Sequence, residues 1–410
     1  MSVNPKLTLP QLRRRWAHNH GLDRTEALSV AEISRQFGWP RTLGGVDVYV
    51  AFAARNPHFD AAELDAAVAR VGGLRVIPAA RSCIYVVPSA DVDWAIRYNL
   101  AAWQRRSLAD CARAGVQEAE LLQVVATTAA ALGDAPKTTD QLRNALPTGA
   151  VRRLGDLGKK YGMSTCFPLA LRWLESQGRA QRTPADGHLR NERYVWQKPQ
   201  QPPTELSESN EELHKYIAAH FFSVSAPARL KDLADWAGLS QRDAKAAMQQ
   251  LDLQAVEVEG QKDLYYVPSS QRERLNDDLP VAPPRLLSLV DPLTDYRSAL
   301  KQLVDERHHD VELTSANTKP MKIRDLQALW LRCVLDDGEL VGVWEFDPER
   351  KCIDFATFRP LQPDRLKLLQ LEVERLTELL RDRLQDARAF SLDTDASLKQ
   401  RSTFVRGMRG

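Results

Sequence analysis

The sequence predicts an α+β protein in which three tandem winged-helix units precede a small β-rich domain backed by a long helix. Three observations carry this expectation. Residues 210–268 read as three short helical stripes followed by period-two alternation; two upstream stretches end in similar alternation; and beyond Pro280 short strands dominate until one long amphipathic run. A chain of 410 residues is long enough for several such cores.

Residues 210–268 give the clearest reading. Leu213, Tyr216, Ile217 and the run 220–222 form one helical apolar stripe, and Pro227 closes a turn. Leu230, Leu233 and Trp236 mark a second helix, stopped by Gly238, a residue suited to the position just past a helix end. Ser240 can cap a third helix with Asp243 in its first turn, where a carboxylate suits the helix dipole, and Ala244, Met248 and Leu251 form its inner face. Val256 and Val258 then alternate with acids, residues 259–261 can turn, and residues 264–267 return as a second strand. Three helices and a hairpin are the pattern of a helix-turn-helix with a β wing.

From the N-terminus, Leu12 and Trp16 mark a helix that carries Arg13, Arg14 and Arg15. Ser29 caps a second helix over 28–37, and Gly38-Trp39-Pro40 breaks it. Residues 47–55 are apolar and fit helix or strand. Asp60 caps another helix with Leu64 and Val68 inward, residues 74–88 alternate as a hairpin, and 91–103 returns to helix. A second unit has helices over 121–132, 139–146 and 167–174, with strands over 179–182 and 192–196. Residues 326–335 and 339–346 read as strands around Asp336-Asp337-Gly338, with another over 353–358. Leu366, Leu369, Val373, Leu376 and Leu380 follow helical spacing. The expected organisation is winged helix 1 with an N-terminal extension over 1–112, winged helix 2 over 113–198, a polar linker over 199–209, winged helix 3 over 210–280, the β-rich domain with its helix over 281–390, and a flexible tail over 391–410.

Composition bounds the function. Hydrophobic content of 43% and charged content of 27% are those of an ordinary globular protein, and a net charge of +2 means that any nucleic-acid reading rests on local clusters. Five cysteines, none spaced C-x-x-C, give no zinc motif and favour a reducing compartment. With no apolar run near 18 residues and no signal peptide, the expected location is the cytoplasm, in association with the nucleoid. His308-His309-Asp310 invites a metal, but neighbouring side chains diverge on a helix or strand, so no metal site and no cofactor are expected.

Four stretches together resemble one family. LRVIPAARSCIYVVPSADVDW (74–94), APARLKDLADWAGLS (226–240), RLLSLVDPLTDYR (285–297) and ELVGVWEFD (339–347) are similar, in order, to hallmarks of the winged-helix DNA glycosylases of the AlkZ and YcaQ type. The resemblance implies a C-shaped array of three winged helices, a β-barrel-like C-terminal domain, binding to duplex DNA, and, in characterised members, excision of alkylated or crosslinked bases. It also implies a Q-x-Q or Q-x-D motif within residues 37–43. Here that stretch is FGWPRTL, without amide or carboxylate, and the family's R-G-T-L-H becomes Arg81-Ser82-Cys83-Ile84-Tyr85. Cleaving an N-glycosidic bond needs a group that places and deprotonates water beside a developing positive sugar, which Phe, Trp and Leu cannot do. Gln36 and Asp47 are the nearest catalytic candidates. Arg55, Arg81 and Tyr85 are expected to line the equivalent cleft, and Trp39 to serve as an aromatic wedge.

Basic residues mark the expected DNA face. Residues 149–198 hold ten Lys or Arg against four acids, an excess of six. Arg152, Arg153, Lys159, Lys160, Arg179, Arg182, Arg190 and Arg193 from that stretch, together with Arg13–Arg15, Arg41, Arg242 and Lys245, are the expected phosphate contacts. Three functions compete: a monomeric duplex-DNA-binding relative of the glycosylases with weak or absent excision, acting in DNA repair or genome maintenance; an active glycosylase using an atypical residue; and a winged-helix transcriptional regulator.

Overall fold

A computed structural model of the protein describes residues 5–70, 73–200, 209–295, 300–313 and 320–408. Helices alternate with short strands in a mixed α+β fold, divided into two compact units. Met1–Leu64, Leu189–Asn191 and His214–Gly410 form the first, and Asp65–His188 with Glu192–Leu213 the second.

The 210–268 segment, which belongs to the first unit from His214 onward, forms helices Asn210–Ser225, Leu230–Ala237 and Gln241–Gln249, then strands Leu253–Val258 and Tyr265–Pro268. Gly238 ends the second helix at φ 73°, the left-handed geometry that glycine adopts without a Cβ clash, and the Ser240 hydroxyl accepts from the Asp243 amide at 3.1 Å. The hairpin register runs from Leu253 opposite Pro268 to Val256 opposite Tyr265. The sequence reading missed a third strand, Lys6–Leu7, which pairs in parallel with Leu253–Val258. Helix Leu9–Asn19 follows, opened by a capping box between Thr8 and Gln11, and Trp16 Nε1 donates to Pro227 O at 2.9 Å. Because Leu7, Leu12 and Trp16 bury themselves in this unit while hairpin 74–88 lies in the other, the expected first domain, 1–112, is divided between the two.

Farther on, four antiparallel strands pair in the order Cys352–Thr357, Glu339–Asp347, Arg332–Asp336, Arg285–Leu287. The turn between the central pair uses Asp337 at φ 50° and Gly338 at φ 80°, and a Cβ on Gly338 would meet the Arg13 carbonyl at 2.2 Å, so only glycine fits. Helix Pro363–Glu378 packs on the strands. The expected flexible tail is corrected: Thr394 caps a helix over Asp395–Gly407 that packs on the two strands spanning 339–357. It is held because Arg401 buries its guanidinium against Glu345 and Asp393.

The second unit contains hairpin Leu74–Pro78 with Ile84–Pro88, helices Val92–Arg113, Glu118–Ala131, Thr139–Asn144, Gly155–Lys160 and Phe167–Ser176, and a three-stranded sheet ordered Lys137–Thr138, Tyr194–Gln197, Gln181–Pro184. Its core is Leu121, Val124, Leu142, Phe167, Leu171, Leu174 and their neighbours. The linker positions 201–208 and the motif residues Tyr296 and Arg297 lie outside the described residues.

Candidate nucleic-acid interface

The segment that should carry the excision motif sits in the first unit, bolted to the 285–295 stretch. Helix Asp47–Ala53 starts with a carboxylate that is 1% exposed. One Asp47 oxygen accepts from Arg332 Nε at 2.7 Å, and the other accepts from the Leu289 amide at 2.8 Å. Burial pushes this carboxyl above the ordinary carboxylate range, opposed by Arg332 and the Leu289 N–H. Arg332 also bonds Glu345 at 2.6 Å and lies over the Trp344 ring at 4.8 Å, and Glu345 continues to Arg401 and Asp393. Eight residues on, Arg55 donates two hydrogen bonds to the Asp291 carboxylate, at 2.6 and 3.0 Å, both side chains fully buried. Arg41 pairs with Asp295 at 2.8 Å and reaches the Leu289 carbonyl at 3.3 Å. His20 lies in the field of the Arg55–Asp291 pair, its pKa pushed down to about 3 by burial and by the Arg55 charge.

Several expected contacts are therefore corrected. Asp47 is buried, one oxygen accepting from Arg332 and the other from the Leu289 amide. Arg55 is consumed by Asp291. Trp39, 2% exposed, stacks on His220 at 4.2 Å and packs near Trp236; it is core, because a break after helix Val30–Gln36 turns it inward. Gln36 ends that helix and is exposed. Arg81 and Tyr85 belong to the second unit. Tyr85 is fully buried and its hydroxyl accepts from Arg81 Nη2 at 3.1 Å, while Arg81 and Ser82 occupy consecutive left-handed positions at φ 54° and 57°. Such strain in non-glycine residues persists only where surrounding structure enforces it.

The basic clusters divide by exposure. Arg13 is 4% exposed and donates to the Gln302 and Val304 carbonyls at 2.6 and 2.8 Å. Arg15, 9% exposed, donates to the Arg274 and Leu275 carbonyls. Arg14 clamps Asp337 with three bonds of 2.6–3.1 Å. Arg182 is buried between Glu175 and the Tyr194 and Trp196 rings, and half-buried Arg190 donates to the Leu384 carbonyl at 2.6 Å. All five donate to acceptors within the fold. Arg152, Arg153, Lys159, Lys160, Arg179 and Arg193 are exposed on the second unit, with Arg152 tied to Glu120 at 2.8 Å and Lys159 to Asp156 at 3.2 Å. Arg242 and Lys245 are exposed on helix Gln241–Gln249 in the first unit.

Residues 46–379 match the family model described as DNA glycosylase AlkZ-like. The chain belongs to the AlkZ-like DNA glycosylase family. Its fold is similar to that of Streptomyces sahachiroi DNA glycosylase AlkZ, with a TM-score of 0.70 over 91% of this chain and 97% of that one, at 16% identity. No curated protein matches the sequence. The AlkZ-like match covers the Asp47, Arg55, Asp291 and Arg332 positions, which sequence reasoning read separately or missed. Asp291 and Asp295 stood inside a quoted motif, but Arg332 left no signal, being one cation in an apolar strand. Among the described residues no group of three or more His, Cys, Asp or Glu is placed to hold a metal, and no helix is long and apolar enough to cross a membrane.

Proposed function

We propose that this AlkZ-like chain is a duplex-DNA-binding protein of DNA repair or genome maintenance with weak or absent base excision. One observation carries the reading: residues 37–43 hold no amide or carboxylate, and the nearest carboxylate, Asp47, is buried with both oxygens engaged. Loss of a positioned general base typically costs about 10²–10⁴ in rate, so binding outlasts chemistry. Family membership supports DNA as the partner, and the exposed cations Arg153, Lys160, Arg179 and Arg193, with Arg242 and Lys245, supply phosphate contacts. The helix–helix–helix–hairpin order at 210–268, and the helices closed by hairpins upstream, support three winged-helix modules leading into a barrel-like domain. We take the protein to act as a cytoplasmic monomer, since tandem modules in one chain supply the contacts that a symmetric regulator obtains by dimerising.

The test is incubation with alkylated and crosslinked duplexes, scored for abasic product beside an anisotropy titration of binding. Binding without product is expected. The second reading, an active glycosylase, rests on the exposure of Gln36 at the end of its helix. Robust product that Gln36→Ala abolishes while binding persists would establish that reading in place of the first.

A further inference from the structure

Of the nine tryptophans, eight are core, none of them more than 6% exposed, while Trp330 is 57% exposed. A loose segment is not the cause. Leu326 before it and Leu331 after it are buried, and Arg332 next along is held by Asp47 and Glu345. The indole is therefore held out in water by a fixed platform, although tryptophan is a side chain that folding usually hides. Its place in the fold is as telling as its exposure. Two residues separate Trp330 from Arg332, so their backbone positions lie within about 7 Å. Arg332 Nε bonds Asp47 at 2.7 Å, and Asp47 opens the helix that follows residues 37–43, where the family resemblance puts the excision motif. All of these residues belong to the first unit.

The chemistry that such a ring recognises follows from its setting. The charges beside it in sequence cancel: Lys322 and Arg324 both bond Asp310 at 3.0 Å, and exposed Asp325 is a second acid. This segment therefore offers a flat π face and little net charge, which suits a nucleobase better than a phosphate. In an intact duplex each base is already stacked on its neighbours. An aromatic side chain gains most where a base is missing or unpaired, because the cost of unstacking is smallest there. We propose that Trp330 is a base-stacking residue, which fills the place of a missing or unpaired base and gives the protein a preference for duplexes that contain one. The proposal rests on the duplex-DNA reading above and adds to it the kind of duplex. The aromatic wedge expected at Trp39, which is core, is thus supplied from the other side of Arg332 in the sequence.

The test uses the full chain. Anisotropy titrations compare an intact duplex with the same duplex carrying one tetrahydrofuran abasic position or one mismatch. Acrylamide, a neutral collisional quencher, reads the one exposed indole against eight shielded ones. The abasic or mismatched duplex should bind more tightly than the intact one. Saturation with it should remove the acrylamide-accessible emission, which Trp330→Phe identifies in the free protein by losing it. Trp330→Ala should weaken the abasic duplex by about tenfold or more and the intact duplex little, and Trp330→Phe, which keeps a ring, should retain most of the affinity. The slope of log affinity against log salt should stay as it was, since no phosphate contact is lost. Both changes are at an exposed position, and circular dichroism confirms that the variants are folded. Equal weakening of both duplexes by Trp330→Ala, or a flattened salt slope, overturns the proposal. Tight binding with Trp330 still open to acrylamide overturns the stacking and leaves the DNA-binding reading standing, whereas failure of every duplex to bind overturns both.

Discussion

Two basic regions look alike in the sequence and behave as opposites in the fold. Arg13–Arg15 is the densest basic run near the N-terminus, yet each of the three is spent on internal partners: the 302–304 carbonyls, Asp337, and the 274–275 carbonyls. Successive helical residues turn by about 100°, so three neighbours point at three different walls, and helix Leu9–Asn19 has structure on each. The 152–193 cluster is spread over a short helix, a helix end and a loop; Arg182, Arg190 and Arg152, the last through Glu120 and the Gly115 carbonyl, reach internal acceptors, while Arg153, Lys160, Arg179 and Arg193 stay exposed. Density of charge in sequence says little about facing. What decides it is whether the fold brings an acceptor to that side of the element.

The largest test of this contrast is at the buried carboxylate. Asp47→Ala leaves Arg332 with a buried charge short of one partner and should cost about 3–5 kcal/mol of stability, read by denaturant unfolding. If Asp47→Ala folds with stability unchanged and loses excision instead, Asp47 is chemical and the structural assignment fails.

A second consequence is acid sensitivity through histidines held neutral. Burial pushes His220 down to about 4, and burial with the Arg55 charge takes His20 to about 3. The unfolded chain binds these protons near pH 6.5 and the folded chain does not. Stability from this source is therefore complete above about pH 6.5 and falls as pH drops toward 4, by roughly 1.4 kcal/mol per pH unit for each histidine. His220→Phe, which keeps a ring beside Trp39, should halve that acid slope. An unaltered slope would mean that His220 is not held neutral.

Smaller effects separate the two basic regions directly. Arg15→Ala strips donors from two backbone carbonyls and should cost about 1–3 kcal/mol, while leaving the salt dependence of DNA affinity as it was. Arg153, Lys160, Arg179 and Arg193 changed singly to Ala should each leave stability within about 0.5 kcal/mol. Each that touches a phosphate should lower the slope of log affinity against log salt by about 0.9. Reversal of the two patterns would show that the N-terminal run faces the DNA after all. The smallest expected change is Gln36→Ala, neutral in stability and in product.

The sequence by itself determined the local elements. Capping residues Ser29 and Ser240, the Gly238 stop, the 74–88 and 253–268 hairpins and the Asp337-Gly338 turn all rest on neighbours a few positions apart, and the structure has them where periodicity put them. The lack of amide or carboxylate in 37–43 was equally plain, being a matter of composition. Only the tertiary structure decided that Trp39 is core, that the tail beyond 391 is a packed helix, and that Asp47, Arg55 and Arg41 are clamped to 289–295 and 332. Those partners lie more than two hundred residues away along the chain, whereas helical and strand periodicity carry information over only a few residues. A charged side chain in an apolar helix reads the same whether its partner arrives from the far end of the chain or it meets solvent, and the packing of strand on helix is what settles which.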